Sequence, residues 1–157
     1  MKKIKFTEKF GKGLLKNSLK TLDEKIGRKV PEEIRWILGQ SNGGYPKLTV
    51  FPISGLRDNE DGEIRYFYGV DETPDRDLAW ALENYEGRML PELFPFACNG
   101  SGDEICLVTE GKKAGQVVFW DSYGEKKKPT WKNVYKIADT FEEFIDGLTE
   151  YSDEDED

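Results

Sequence analysis

The chain is 157 residues long, 18.0 kDa, the size of one ordinary domain, which excludes a multidomain machine. Apolar residues make up 37% and aromatic residues 13%, so the core is weighted towards Phe, Tyr and Trp. Lys and Arg number 23 against 31 Asp and Glu, a formal net charge of -8 that repels phosphate and anionic lipid, and the absence of His removes serine triads, Cys–His dyads and His-zinc sites.

The N-terminal stretch MKKIKFTEKFGKG is basic but has no apolar run of signal-peptide length behind it. Leu15, Leu19, Leu22 and Ile26 recur at i, i+4, i+7 and i+11, a helical stripe that Gly27 is placed to stop. A second helix is predicted from Pro31, with Glu32 and Glu33 in its first turn and Ile34, Ile37 and Leu38 on its apolar face. Asn42-Gly43-Gly44 ends it. Residues 48–53 read as a strand and Ile64 to Val70 as another, joined by the acidic loop Arg57 to Glu63. A third helix is predicted over Asp77 to Arg88, with Leu78, Leu82, Tyr85 and Met89 in register.

Three short strands follow, Leu93 to Ala97, Ile105 to Thr109 and Val117 to Trp120. Their connections, Asn99 to Gly102 and Glu110 to Gln116, are too short for parallel crossovers and impose antiparallel pairing. Tyr135 to Ile137 reads as a further strand. The last helix carries Phe141, Phe144, Ile145 and Leu148 on one face, capped by Thr140 or Asp139. The expected fold is α+β, a single antiparallel β-sheet with packed N-terminal, middle and C-terminal helices. One domain over 1–150 is expected, then an acidic tail over 151–157 that cannot bury apolar area. No segment approaches the ~20 apolar residues of a membrane span, so a cytoplasmic protein with no membrane partner is expected.

Few residues suggest catalysis. Asp103 and Glu104 follow a glycine turn, but neighbours on a strand point to opposite faces and are expected to be solvated carboxylates at a hairpin mouth. Gly100-Ser101-Gly102 lacks the P-loop lysine and the GxSxG elbow, so it reads as a turn. Asp58, Glu60, Asp61 and Glu63 lack EF-hand order. Cys98 and Cys106 have no CxxC pattern or neighbouring base and read as buried small hydrophobes in a reducing compartment. The expectation is no enzyme, no cofactor and no metal; a concave pocket of converging carboxylates is the feature that would reopen an enzymatic reading.

Charge and aromatic placement point to binding. Residues 1–40 carry a net of +6 and residues 41–157 a net of -14, with eleven acids against four arginines in 57–92. Trp36 and Trp80 each lie about 200° round a helix from a stripe residue, so either the buried faces are wide or one ring is an exposed anchor.

Val30-Pro31-Glu32-Glu33-Ile34 and Asn42-Gly43-Gly44 resemble the N-terminal signature of the SUKH superfamily, which includes the yeast Smi/Knr cell-wall-synthesis regulators. Phe94 to Glu104 resembles its central hairpin, and Val117 to Asp121 and Ile137 to Ile145 its next strand and final helix. Residues 54–90 depart from that pattern. The resemblance implies an α+β fold and a non-enzymatic role: an immunity protein that blocks a cognate toxin domain, often a nuclease, or a regulatory scaffold in cell-wall synthesis or signalling. It assigns Asn42, Gly43, Asn99, Gly100 and Gly102 to turns. For immunity, the expected partner is a basic protein toxin domain rather than nucleic acid itself. The expected contacts are Asp58, Glu60, Asp61, Glu63, Asp71, Glu72, Asp75, Asp77 and Trp80.

Overall fold

A computed structural model describes residues 1–57, 60–70 and 73–152. Asp58, Asp71, Glu72 and the last five residues of the acidic tail therefore lie outside the described residues. The chain runs β1 (Phe6–Lys9), α1 (Lys16–Ile26), α2 (Glu32–Gln40), β2 (Gly44–Pro46), β3 (Val50–Pro52), β4 (Asp61–Glu63) and β5 (Tyr66–Phe67). A 3-10 turn at Pro74–Arg76 leads into α3 (Leu78–Tyr85). Then come β6 (Leu93–Cys98), β7 (Glu104–Val108), β8 (Val117–Trp120), a 3-10 turn at Ser122–Gly124, β9 (Val134–Ala138) and α4 (Phe141–Asp146).

Seven strands form one sheet in the order β1-β2-β5-β6-β7-β8-β9, and every neighbouring pair is antiparallel. The α+β expectation holds, with the addition of a separate two-stranded sheet, β3–β4. β1 and β2 were not anticipated, and the expected strand over 64–70 is reduced to Tyr66–Phe67. The supposed acidic loop contains β4, whose Asp61 and Glu63 pair with Pro52 and Val50.

Alternation along the central strands divides the core. Ile105 and Leu107 of β7 and Val117 and Phe119 of β8 join the larger cluster, with Ile34, Ile37, Leu38, Phe141, Phe144 and Phe51 from the covering elements. Cys106, Val108, Val118 and Trp120 face the other way, against Tyr85, Met89 and Leu93. Both cysteines are buried. Trp36 is half-buried, edge-on to Phe141 at 6.1 Å, whereas Trp80 is 40% exposed: the two rings divide between the two expectations.

Local caps explain the helix limits. Leu15 is not part of the buried stripe; it is the residue before α1 and lies 77% exposed. Gly27 closes α1 in the left-handed conformation, its N–H reaching the Asp23 carbonyl. Thr140 caps α4 by accepting from the Glu143 N–H. Asp77 accepts from the Trp80 N–H at 3.0 Å and is buried, so it is the α3 cap and not a member of an open acidic surface.

α1 and α2 are joined by one clamp. Asp23 accepts from the Val30 N–H at 2.9 Å and from Arg35 Nη1 at 2.7 and 2.9 Å. Burial pushes the Asp23 carboxyl upward, but the Val30 N–H and the Arg35 guanidinium outweigh it and hold its pKa below the usual value. Replacing Arg35 with Ala is expected to cost about 1–2 kcal/mol near neutral pH. Because the folded pKa is depressed, the clamp's contribution is present above the ordinary carboxylate pKa and is lost as pH falls through the folded one. Urea titrations of both proteins at neutral and acid pH check this; an equal Arg35→Ala penalty at both pH values contradicts it. No helix among the described residues is long and apolar enough to cross a membrane.

Candidate functional site

The β3–β4 hairpin leans its acidic edge towards the turn between β6 and β7. Together they close a pocket of about 210 Å³ lined by Leu56, Arg57, Glu60, Asp61, Glu63, Asn99, Asp103, Phe119 and Asp121 among others. Five carboxylates and one arginine give it a formal net charge of -4. Three of the anticipated contacts, Glu60, Asp61 and Glu63, meet here and are exposed. Asp75, Asp77 and Trp80 do not line it; Asp75 and Trp80 are exposed on the segment around the start of α3.

The wall opposite the hairpin is rigid, for reasons visible in its hydrogen bonds. Asn99 Oδ1 accepts from the Ser101 and Asp103 N–H groups, and its Nδ2 donates to Asp103 Oδ2 at 2.9 Å. Gly100 and Gly102 take positive φ of 82° and 93°, so the β6–β7 turn assigned to Asn99, Gly100 and Gly102 is present. The other oxygen of Asp103 accepts from the Ser122 N–H at 2.8 Å and Oγ at 2.6 Å, tying this turn to the end of β8. Asp121 accepts from the Tyr123 N–H and is itself almost buried.

Arg57 is the residue whose place sequence reading missed. At φ 26° it is the one non-glycine residue with positive φ among the described residues. Its guanidinium lies 3.8 Å from Asp121 Oδ2 and 5.5 Å from the centre of the Tyr123 ring, which is 89% exposed. The pocket thus already holds one guanidinium between a carboxylate and an aromatic face, the two groups that attract such a cation. Asp121, Tyr123 and Arg57 carry no local motif; nothing short of the fold brings them beside the hairpin.

The converging carboxylates give the pocket the charge that attracts a cationic side chain. Asp103 accepts from the Ser122 N–H and hydroxyl and from the Asn99 side-chain amide, and Asp121 from the Tyr123 N–H with its other oxygen beside Arg57, while Glu60, Asp61 and Glu63 are exposed. Although five carboxylates converge, no three His, Cys, Asp or Glu among the described residues are placed to hold a metal ion.

Glu104, next to Asp103, overturns the expectation of a solvated pair. It is 1% exposed and accepts a hydrogen bond from the Tyr68 hydroxyl at 2.5 Å. It sits on the face of β7 that carries Cys106 and Val108, opposite Trp120 of β8 and Cys98 of β6. Burial drives its pKa up to about 8; hydrogen bonds from Tyr68 and Tyr85 and the positive Arg88 offset this only in part, and Asp103 adds to it. Arg88 is already held by Glu125 through two contacts of 3.0 Å. Glu104 does not line the pocket.

Comparison with known sequences agrees with the fold. The sequence model of the SMI1 / KNR4 family (SUKH-1) matches residues 13–147. The chain is also similar to the SPbeta prophage-derived uncharacterized protein YokK of Bacillus subtilis (strain 168). The two are 27% identical over 148 residues, covering 84% of this chain and 73% of that protein.

Proposed function

The chain belongs to the SMI1 / KNR4 family (SUKH-1), and we propose that it is a non-enzymatic, cytoplasmic immunity protein that binds and blocks a cognate toxin domain with a basic surface. The observation that carries this reading is the acidic pocket at the β3–β4 hairpin. A nuclease grips phosphate with Lys and Arg, and a concave set of carboxylates competes for those same side chains. The pocket's own Arg57, held by Asp121 and Tyr123, is an internal example of the contact a partner's Arg would make. Family membership adds support, because toxin immunity is a frequent role in it. Trp80, exposed near the start of α3, is a second anchor outside the pocket.

The test is a pull-down from native lysate at low and high salt with the wild-type chain and with the Glu60→Lys, Asp61→Lys, Glu63→Lys variant. All three side chains are exposed, so the fold is expected to survive. The expected result is one basic, toxin-like partner that wild type retains at low salt, releases at high salt, and loses on charge reversal. With that partner purified, association by the variant should be slower by about ten-fold or more, while Trp80→Ala acts chiefly on dissociation. A partner held equally well by the reversed variant removes the pocket from the interface. Recovery of envelope or signalling proteins in place of a toxin favours a regulatory scaffold.

A further inference from the structure

We propose that Arg88 is a latch with two carboxylate seats, Glu125 at the surface and Glu104 in the core. It grips Glu125 in this structure and transfers to Glu104 when that buried carboxyl loses its proton. The surface seat is a two-pronged pair, with Arg88 Nε donating to Glu125 Oε2 and Nη2 to Oε1, both at 3.0 Å. The same guanidinium lies over two aromatic faces, 4.8 Å from the centre of the Tyr85 ring and 5.8 Å from that of Trp120. Those rings also cover Glu104. Trp120 is its partner across the β7–β8 ladder, and Tyr85 hydrogen-bonds its carboxyl. One cation therefore has an outer carboxylate in hand and an inner one beside the rings on which it rests.

The drive comes from the surroundings of Glu104. Tyr66 and Tyr68 of β5, Cys98 of β6, Cys106 of its own strand and Tyr85 of α3 face it, and burial raises all five above their ordinary values, which keeps them neutral. The adjacent Asp103 opposes the ionised form, and Arg88 is the cation among these groups. A carboxylate ionised inside the core without a cation is strongly unfavourable. The Arg88–Glu125 pair, by contrast, is partly open to water, its side chains 41% and 26% exposed, and such pairs contribute little. The ionised inner carboxylate therefore outcompetes the outer one. Glu125 closes the 3-10 turn at Ser122–Gly124, its N–H bonded to the Ser122 carbonyl, and leads into the exposed Lys126, Lys127 and Lys128. That segment is pinned by Arg88 on Glu125 and by Lys113 over the Trp131 ring at 4.4 Å. Transfer of Arg88 undoes the first pin and leaves the second. The latch is a property of the chain alone and does not depend on what the acidic pocket binds.

The full chain, labelled with carbon-13 and nitrogen-15, is followed by NMR from about pH 6 to about pH 10. The resonances read are the Cδ carbons of Glu104 and Glu125, Cζ and Nε of Arg88, and the carbonyl carbons of Glu125 to Lys128. All are expected to change along one curve with a midpoint of about 8. In Glu104→Gln, which keeps the acceptor for Tyr68, Arg88 and residues 125–128 should not move over this range. Glu125→Gln removes the competing carboxylate at the surface, so Glu104 should titrate lower, by about one unit. A Glu104 that titrates while Arg88 and residues 125–128 stay still overturns the proposal, as does a Glu104 that does not titrate in the folded chain. The same curve persisting in Glu104→Gln, or a Glu104 midpoint unmoved in Glu125→Gln, also overturns it. Thermal melts check that both variants fold; should Glu104→Gln fail to, the wild-type curves and the surface variant Glu125→Gln decide.

Discussion

Replacing Glu104 by Gln is expected to abolish most of the alkaline loss of stability between about pH 5 and pH 9. The wild-type carboxyl has an ordinary value of 4.5 and a folded value of about 8. Between those values the native state holds a proton that the unfolded chain has released, so stability falls as pH rises, by about 1.4 kcal/mol per unit from this group alone. The contribution is full below the unfolded pKa and gone once pH has passed the folded one. Integrated over that window it amounts to a few kcal/mol, a large share of the stability of a domain this size. Groups facing Glu104 do not supply the same slope. Burial raises the Tyr68 and Tyr85 hydroxyls and both thiols, Cys98 and Cys106, above their ordinary values, and Arg88 is raised by its bond to Glu125. Glutamine keeps the acceptor for the Tyr68 hydroxyl and is always neutral. Guanidinium unfolding across the pH range should therefore show similar stability for both proteins near pH 5 and a more stable variant at pH 9. An unchanged slope in Glu104→Gln assigns the pH dependence to other groups.

Glu104 also shows where sequence reading stops. Strand alternation correctly separates it from Asp103, but not which side of β7 is covered. Its parity with Cys106 and Val108 was a usable sign, because those apolar residues require a covered face; the cover itself comes from Tyr85 and Trp120, remote in sequence. β6, β7 and β8 were legible because each is a nearly continuous apolar run between short glycine turns. β1 was not: Phe6-Thr7-Glu8-Lys9 has one apolar side chain among polar and charged ones, as an edge strand needs only one covered face and its ladder to β2 leaves no trace in composition. The sequence predicts a loop at β4 because Asp61-Gly62-Glu63 has no strand preference. It forms because Gly62 leaves room for the Phe51 ring, which a Cβ there would meet at 2.4 Å.

The site divides in the same way. Glu60, Asp61 and Glu63 announce themselves by local charge density. Arg57 looks unremarkable in one dimension, Asp103 reads as a solvated carboxylate at a hairpin mouth, and Asp121 looks like an ordinary strand end. Only the pairing of β6, β7 and β8 and the lean of the hairpin bring them together. Asp77 misled for a local reason: a carboxylate before a helix serves equally as surface charge or as cap, and the Trp80 N–H settles it as a cap.

Gly43→Ala is expected to destabilise the protein by roughly 3 kcal/mol or more, well beyond the cost of the same change at Gly111. Both glycines have positive φ, 75° and 85°, so both substitutions strain the backbone by about 1 kcal/mol or somewhat more. They differ in surroundings. A Cβ at Gly111 meets nothing within 4 Å, whereas one at Gly43 meets the Gly69 backbone N at 2.7 Å and the Phe67 carbonyl oxygen at 2.9 Å. Those atoms are main chain and cannot swing aside. They are also fixed from both directions: Asn42 donates to the Val70 carbonyl at 2.9 Å and accepts from its N–H at 2.6 Å, and the Gly43 carbonyl accepts from the Ser41 hydroxyl and the Phe10 N–H. Here the end of α2 is fastened to β5 and to the stretch following β1 across a crossing that only glycine can pass. This gives a physical reason for Asn42-Gly43 at this point of the chain: the pair is a joint between elements, more than a turn. Chemical denaturation of Gly43→Ala and Gly111→Ala side by side tests it, and equal losses would mean that positive φ alone explains the glycine.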